Sequence, residues 1–214
     1  TSASAPGTYT LKVTSATNGC TNTAVTSVTQ NTTPPVPTAN TGGSITCISS
    51  SVTLNGTPGT GVTYLWSGPS ITGANNIQNT NANAPGTYTL QVTNSINGCA
   101  ATATTAVTQD ITPPSPTAGS SGMLSCTNFT AGLNGTPGTG VTYQWSGPGV
   151  ASGATSQNAV ANAAGIYILQ VTNVINGCAN TATTSISQNT TTPSVFASAS
   201  QSITCTTSSV ALSS

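Results

Sequence analysis

Charge is nearly missing from this sequence: Lys12 is the one basic side chain, Asp110 the one acidic side chain, and there is no histidine in 214 residues. Each shortage removes a class of chemistry. General acid–base catalysis needs titratable groups set against each other. Nucleic-acid binding needs Lys and Arg to neutralise phosphates, and Ca²⁺ or Mg²⁺ sites need several carboxylates. The chain therefore reads as not an enzyme, with no cofactor, no metal and no nucleic-acid partner. No apolar run approaches the roughly 20 residues that cross a bilayer, so no membrane span is expected. The first residues also lack the charged-then-apolar pattern of a signal peptide. The chain begins at Thr1 rather than Met, and the sequence is expected to be a piece of a longer polypeptide.

What the sequence does contain is repetition. Gly7-Thr8-Tyr9-Thr10-Leu11 returns as Gly86-Thr87-Tyr88-Thr89-Leu90 and as Gly165-Ile166-Tyr167-Ile168-Leu169, an interval of 79 residues each time (86 − 7 and 165 − 86). The run from Leu54 to Tyr64 recurs unchanged from Leu133 to Tyr143, and Trp66 recurs as Trp145. Two whole units are expected at 33–111 and 112–190. Residues 1–32 match the last part of a unit and 191–214 the first part. Thr33-Pro34-Pro35-Val36-Pro37, Thr112-Pro113-Pro114-Ser115-Pro116 and Thr192-Pro193 mark the boundaries, where proline removes backbone donors and stiffens the chain.

Abundant Val, Ile and Thr set the chain apart from disordered sequences, which are usually charged and poor in β-branched residues. Within a unit the apolar pattern has period two and no sustained helical spacing. Val62, Tyr64 and Trp66 fall on one face of a strand, and Tyr88, Leu90 and Val92 on one face of another, with Val52 and Leu54 extending the same core. Residues 100–109 supply a final strand. Asn55-Gly56, Pro58-Gly59, Ser67-Gly68-Pro69, Pro85-Gly86 and Asn97-Gly98 read as turns. Six or seven short strands in about 79 residues predict a small all-β, two-sheet antiparallel sandwich.

Tyr-Leu-Trp-Ser-Gly at 64–68, Pro-Gly-Thr-Tyr-Thr-Leu-Gln-Val-Thr-Asn at 85–94 and Asn-Gly-Cys at 97–99 resemble the Ig-like and PKD-like repeats of giant bacterial surface and secreted proteins, notably those of Bacteroidota. The resemblance covers essentially the whole chain. It implies tandem Ig-like/PKD-like extracellular modules serving as adhesin stalks or fibres, and it brings no catalytic residues. The Asp-rich segment that follows the Trp strand of PKD domains is missing here, so the resemblance implies no calcium site.

Six cysteines form two series at the same interval, Cys20, Cys99 and Cys178, and Cys47, Cys126 and Cys205. Without CxxC spacing or histidine a zinc site is not expected. Disulfides are expected instead, which places the chain in an oxidising setting, secreted or at a cell surface. Spacing leaves two schemes open. One pairs cysteines across the linkers (Cys20–Cys47, Cys99–Cys126, Cys178–Cys205), and the other within a unit (Cys47–Cys99, Cys126–Cys178). The within-unit scheme is favoured, because units lying end to end would hold the cross-linker sulfurs tens of ångströms apart. It requires Cys47 to sit beside the start of the last strand, and it assigns Cys20 and Cys205 to partners outside the chain.

Lys12 aligns with Gln91 and Gln170, and Asp110 with Asn31 and Asn189, so both charges read as drift on a solvated surface. Trp66, Trp145, Tyr88 and Tyr167 read as core packing rather than a sugar-binding platform. The Asn-X-Thr sequences at Asn55, Asn128, Asn134 and Asn189 make a glycan a candidate partner, although Asn55-Gly56 and Asn134-Gly135 are equally explained as turns. With no charge to oppose it, self-association into fibres is a further candidate, beside contacts between neighbouring repeats of the chain. The expected role is the stalk or fibre shaft of an extracellular adhesin or filament. The alternative is an array of carbohydrate- or surface-binding modules, distinguished by aromatic or Asn-rich side chains exposed in a repeated groove.

Overall fold

The computed structural model describes residues 1–214 and contains strands but no helix. It comprises two units, Thr1–Ile111 and Thr112–Ser214.

The first unit opens with an isolated hairpin, β1 (Gly7–Thr14) paired antiparallel with β2 (Thr21–Val28). Eight strands follow: β3 (Thr38–Thr41), β4 (Ile45–Thr46), β5 (Val52–Thr57), β6 (Val62–Ser67), β7 (Asn79–Ala82), β8 (Gly86–Asn94), β9 (Ala100–Val107) and β10 (Gln109–Asp110). They form antiparallel sheets in the orders β3–β5–β7 and β6–β8–β9, closed by a short parallel pair, β10 with β4.

The second unit contains β11 (Thr117–Ser121), β12 (Leu124–Ser125), β13 (Ala131–Thr136), β14 (Val141–Ser146), β15 (Val150–Ser152), β16 (Asn158–Ala161), β17 (Gly165–Asn173), β18 (Ala179–Ile186) and β19 (Gln188–Asn189). Its sheets run β11–β13–β16–β15 and β14–β17–β18, with β12 parallel to β19. A last hairpin joins β20 (Ser198–Ala199) to β21 (Leu212–Ser213). Taking β11, β13, β14, β15, β16, β17 and β18 as A to G gives an ABED sheet facing a CFG sheet, which is the constant-type immunoglobulin arrangement. In the first unit the D position shrinks to a single bridge, Ile71 with Ala82, where the second unit forms β15.

Alternation builds both cores. Val52 and Leu54 on β5, Trp66 on β6, Ala82 on β7 and Tyr88, Leu90 and Val92 on β8 point inward. Ala131, Leu133, Trp145, Ala161, Tyr167, Leu169 and Val171 repeat this in the second unit. The Tyr88 hydroxyl lies 2.9 Å from the carbonyl of Ala84 and that of Tyr167 2.7 Å from the carbonyl of Ala163, the tyrosine corner of Ig sandwiches. Two residues beyond that tyrosine, where antibody domains place the second cysteine of their inter-sheet disulfide, stand Leu90 and Leu169. The sheets are clamped here by apolar packing.

Two expectations change in the structure. Asn55-Gly56 and Asn134-Gly135 are not turns. They lie inside β5 and β13, because a Cβ on Gly56 would come 2.7 Å from Leu90 Cδ2 and 2.9 Å from the Gln78 carbonyl, and one on Gly135 would meet Leu169 in the same way. Glycine is there for close approach of the sheets. The second change concerns the cysteines. Thr46 pairs with Asp110 at the far end of the repeat and Ser44 Oγ lies 2.5 Å from Thr108 Oγ1, whereas Cys99 immediately precedes the start of β9. The length of β9 keeps Cys47 and Cys99 more than about 20 Å apart, against roughly 7 Å at most between the Cα atoms of a disulfide. The β12–β19 pairing separates Cys126 from Cys178 in the same way.

Candidate functional site: hairpin tips, linkers and cysteines

Asn-Gly-Cys closes the tip of the β8–β9 hairpin. Gly98 takes φ +70° and donates its N–H to the Asn94 carbonyl at 2.9 Å, a left-handed position that glycine adopts without strain. The turn leaves Asn97 Oδ1 to accept the Cys99 N–H at 2.9 Å, so its amide nitrogen is directed away from the turn. That nitrogen donates to Asn31 Oδ1 at 3.0 Å and to the Thr33 carbonyl at 2.9 Å, on the proline-rich segment entering the repeat.

The second unit repeats the device. Asn176, 1% exposed, accepts the Cys178 N–H at 2.9 Å and donates to the Thr112 carbonyl at 3.0 Å, while Asn180 donates to the Pro114 carbonyl at 3.1 Å. Proline segments carry carbonyls but few N–H donors, so they need side-chain donors to be held in place. The hairpin tip supplies them. Reading Asn97-Gly98 as a turn finds the backbone role and misses the clasp. The available signal was Asn-Gly-Cys itself, which recurs at 18–20, 97–99 and 176–178 beyond what a turn alone requires.

The cysteines sit at the two ends of each repeat. Cys99 and Cys178 adjoin the hairpin tip beside the entering linker, and Cys47 and Cys126 adjoin the short parallel pair at the exit. Cys47 and Cys178 are disulfide-bonded, whereas Cys20, Cys99, Cys126 and Cys205 are free thiols. Neither Cys47–Cys99 nor Cys126–Cys178 is formed, and the cross-linker pairs drawn from spacing are not formed either. Cys20 and Cys205 are exposed.

Trp66, Trp145, Tyr88 and Tyr167 are all buried, with at most 2% of their surface exposed. The half-buried Tyr64 and Tyr143 donate their hydroxyls to the carbonyls of Pro58 and Pro137. The aromatic residues repeated in both complete units therefore provide no exposed platform for a sugar. Lys12 lies on the exposed β1 and Asp110 on the exposed β10, without a cluster of three metal-ligating side chains anywhere in the chain. Of the Asn-X-Thr sites, Asn128, Asn134 (on β13) and Asn189 are exposed, while Asn55 lies part-buried within β5.

No known family model matches the chain, and no curated protein matches it either. Among solved structures it is similar to three N-terminal domains of the bacteriophage RB49 highly immunogenic outer capsid protein, at 16% identity and a TM-score of 0.42, over 78% of this chain and 62% of that one. It is also similar to murine CEACAM1b (13%, TM-score 0.33, covering 73% and 100%) and to Sidekick-1 immunoglobulin domains 1–5 (16%, TM-score 0.34, covering 94% and 49%). The Ig-like sandwich of each unit stands on its own strand order and tyrosine corner.

Proposed function

We propose that this chain is a segment of the shaft of an extracellular adhesin or filament, secreted or displayed at a cell surface. Residues 33–111 and 112–190 are its complete modules, 1–32 the end of a preceding module and 191–214 the start of a following one. Its work is mechanical: the modules supply length, rigidity and resistance to proteolysis. The observation that carries this reading is the clasp, in which Asn97 and Asn176 hydrogen-bond the proline-rich segment entering each module. A linker held at its carbonyls limits both bending and protease access. Exposed Cys20 and Cys205 are then available to cysteines of further modules.

The alternative, an array of carbohydrate-binding modules, loses support from the burial of the repeated tryptophans and tyrosines. Electron microscopy of the native material tests the shaft. It should show thin threads beaded at roughly 35–45 Å, the span of one sandwich of 8–10-residue strands plus its linker. Globular particles without an axial repeat would overturn the proposal.

A further inference from the structure

The fold treats the Asn-X-Thr sequences unequally. Besides those at Asn55, Asn128, Asn134 and Asn189, the chain carries Asn31-Thr32-Thr33, which stands 158 residues before Asn189-Thr190-Thr191 at the same position of the repeat (189 − 31). An oligosaccharide joins such a sequence at the asparagine Nδ2, and the hydroxyl two residues on is part of the recognised pattern. Transfer to a folded chain needs both groups within reach, and in this respect the five sequences differ.

In Asn55-Gly56-Thr57 and Asn134-Gly135-Thr136 the threonine is engaged inside a sheet. Thr57 Oγ1 accepts the Thr38 N–H at 3.2 Å and lies 2.7 Å from Thr38 Oγ1, and Thr136 repeats both contacts with Thr117. At Asn128 the nitrogen itself is engaged, donating to the Met123 carbonyl at 3.0 Å. Asn31 and Asn189 differ on both counts. Their Oδ1 atoms accept the N–H of Thr33 at 3.3 Å and of Thr191 at 3.1 Å, an Asx turn that holds the oxygen against the backbone and directs the nitrogen away from it. Neither nitrogen has a partner in the protein, nor has the hydroxyl of Thr33 or Thr191, and all four residues are exposed. Asn189 takes this place on β19, paired with β12 of a fully formed sandwich, and Asp110, at the same position of the first sandwich, is exposed as well. The exposure thus belongs to the position in the repeat.

We propose that Asn189 is a glycan acceptor and that Asn31 is a second, less occupied one. The transferred group is an oligosaccharide carried on a polyprenyl diphosphate. Nδ2 attacks its C1, the C1–N bond forms as the C1–O bond to the diphosphate breaks, the diphosphate leaves with the electron pair, and the nitrogen gives one proton to a base of the transferase. Asn31 is less occupied because Pro34 follows Thr33 directly and confines its backbone to extended conformations, whereas Thr192 follows Thr191. The glycan leaves the clasp intact: Asn97 Nδ2 reaches Asn31 through Oδ1, at 3.0 Å, and that oxygen keeps its bond when Nδ2 is substituted. A sugar at this point covers the proline-rich segment against proteases. The proposal rests on the export of the chain and not on its being a shaft.

Glycopeptide mapping of the native protein tests this, by mass spectrometry with electron-transfer fragmentation, which keeps a glycan on its residue. The Asn189 peptide should carry an oligosaccharide, the Asn31 peptide should carry it in a smaller fraction of copies, and Asn55, Asn128 and Asn134 should carry none. Thr191→Ala, made in the same producing cells, should remove the glycan from Asn189 and Thr191→Ser should retain it, both with thermal unfolding unchanged because the hydroxyl has no partner. A glycan missing from Asn189, fuller on Asn31 than on Asn189, equally present on Asn55, Asn128 or Asn134, or indifferent to Thr191→Ala would each overturn the proposal. Recovery of the protein outside the cells is measured alongside: an exported chain without glycan overturns this proposal alone, whereas a chain confined to the cytoplasm overturns the extracellular placement with it.

Discussion

Asn176 shows how much a single side chain carries when the backbone around it cannot satisfy itself. Its oxygen takes the Cys178 N–H, its nitrogen serves the Thr112 carbonyl, and it is 1% exposed, so water cannot replace it. Removing one partner of a buried hydrogen bond leaves the other to bear its desolvation, about 1–3 kcal/mol for each group. Asn176→Ala should therefore destabilise the second unit by about 2 kcal/mol in denaturant unfolding and speed hydrogen exchange at the Cys178 amide. Asn180→Ala, whose donor reaches the Pro114 carbonyl from an exposed position, should change stability by less than about 0.5 kcal/mol. Equal effects of the two substitutions would mean that the clasp does not depend on burial. Asn97 is legible in the sequence as a turn residue, and the recurring Asn-Gly-Cys marks the tip as doing more, but the linker that Asn97 and Asn176 hold is seen only in the fold.

At the scale of the strands, the readable parts are those where one face is buried. Tyr88, Leu90 and Val92 alternate with outward residues through β8, and the same beat in β5 and β6 fixed which residues enter the core. Asn55-Gly56 misled because the same dipeptide serves a tight turn or a tight approach, and only the Leu90 side chain across the core decides between them. The parallel pair of β4 with β10 was beyond reach, being two residues on each strand with no periodicity to detect. That small pair decides the cysteine chemistry, because it moves Cys47 to the end of the last strand and away from Cys99. Alkylation of the folded, unreduced chain should accordingly label Cys20, Cys99, Cys126 and Cys205 and spare Cys47 and Cys178. Peptide mapping reads this directly. Protection of Cys99 together with Cys47, or of Cys126 together with Cys178, would restore the within-unit scheme and contradict the strand pairing.

For the whole molecule, the near-absence of charge leaves stability to packing, hydrogen bonds and disulfide bonding. Stability changes with pH only where folded and unfolded states bind different numbers of protons. Between pH 5 and pH 8 an ordinary carboxylate stays ionised and an ordinary lysine stays protonated. With one Asp, one Lys and no His, the chain has almost no group able to create such a difference. Salt has as little to act on, because screening weakens interactions between exposed charges and scarcely any exist here. The midpoint of thermal unfolding should move by less than about 2 °C from pH 5 to pH 8, and as little from 10 to 300 mM NaCl, where a change of 1 kcal/mol would shift it by about 4 °C. A shift of that larger size under either condition would mean that the charge on Lys12 or Asp110 itself supports the fold, although neutral residues fill both positions in the other repeats. Such indifference to pH and salt is what the proposed shaft would need if its surroundings change, because its cohesion would then rest on packing rather than on ion pairs.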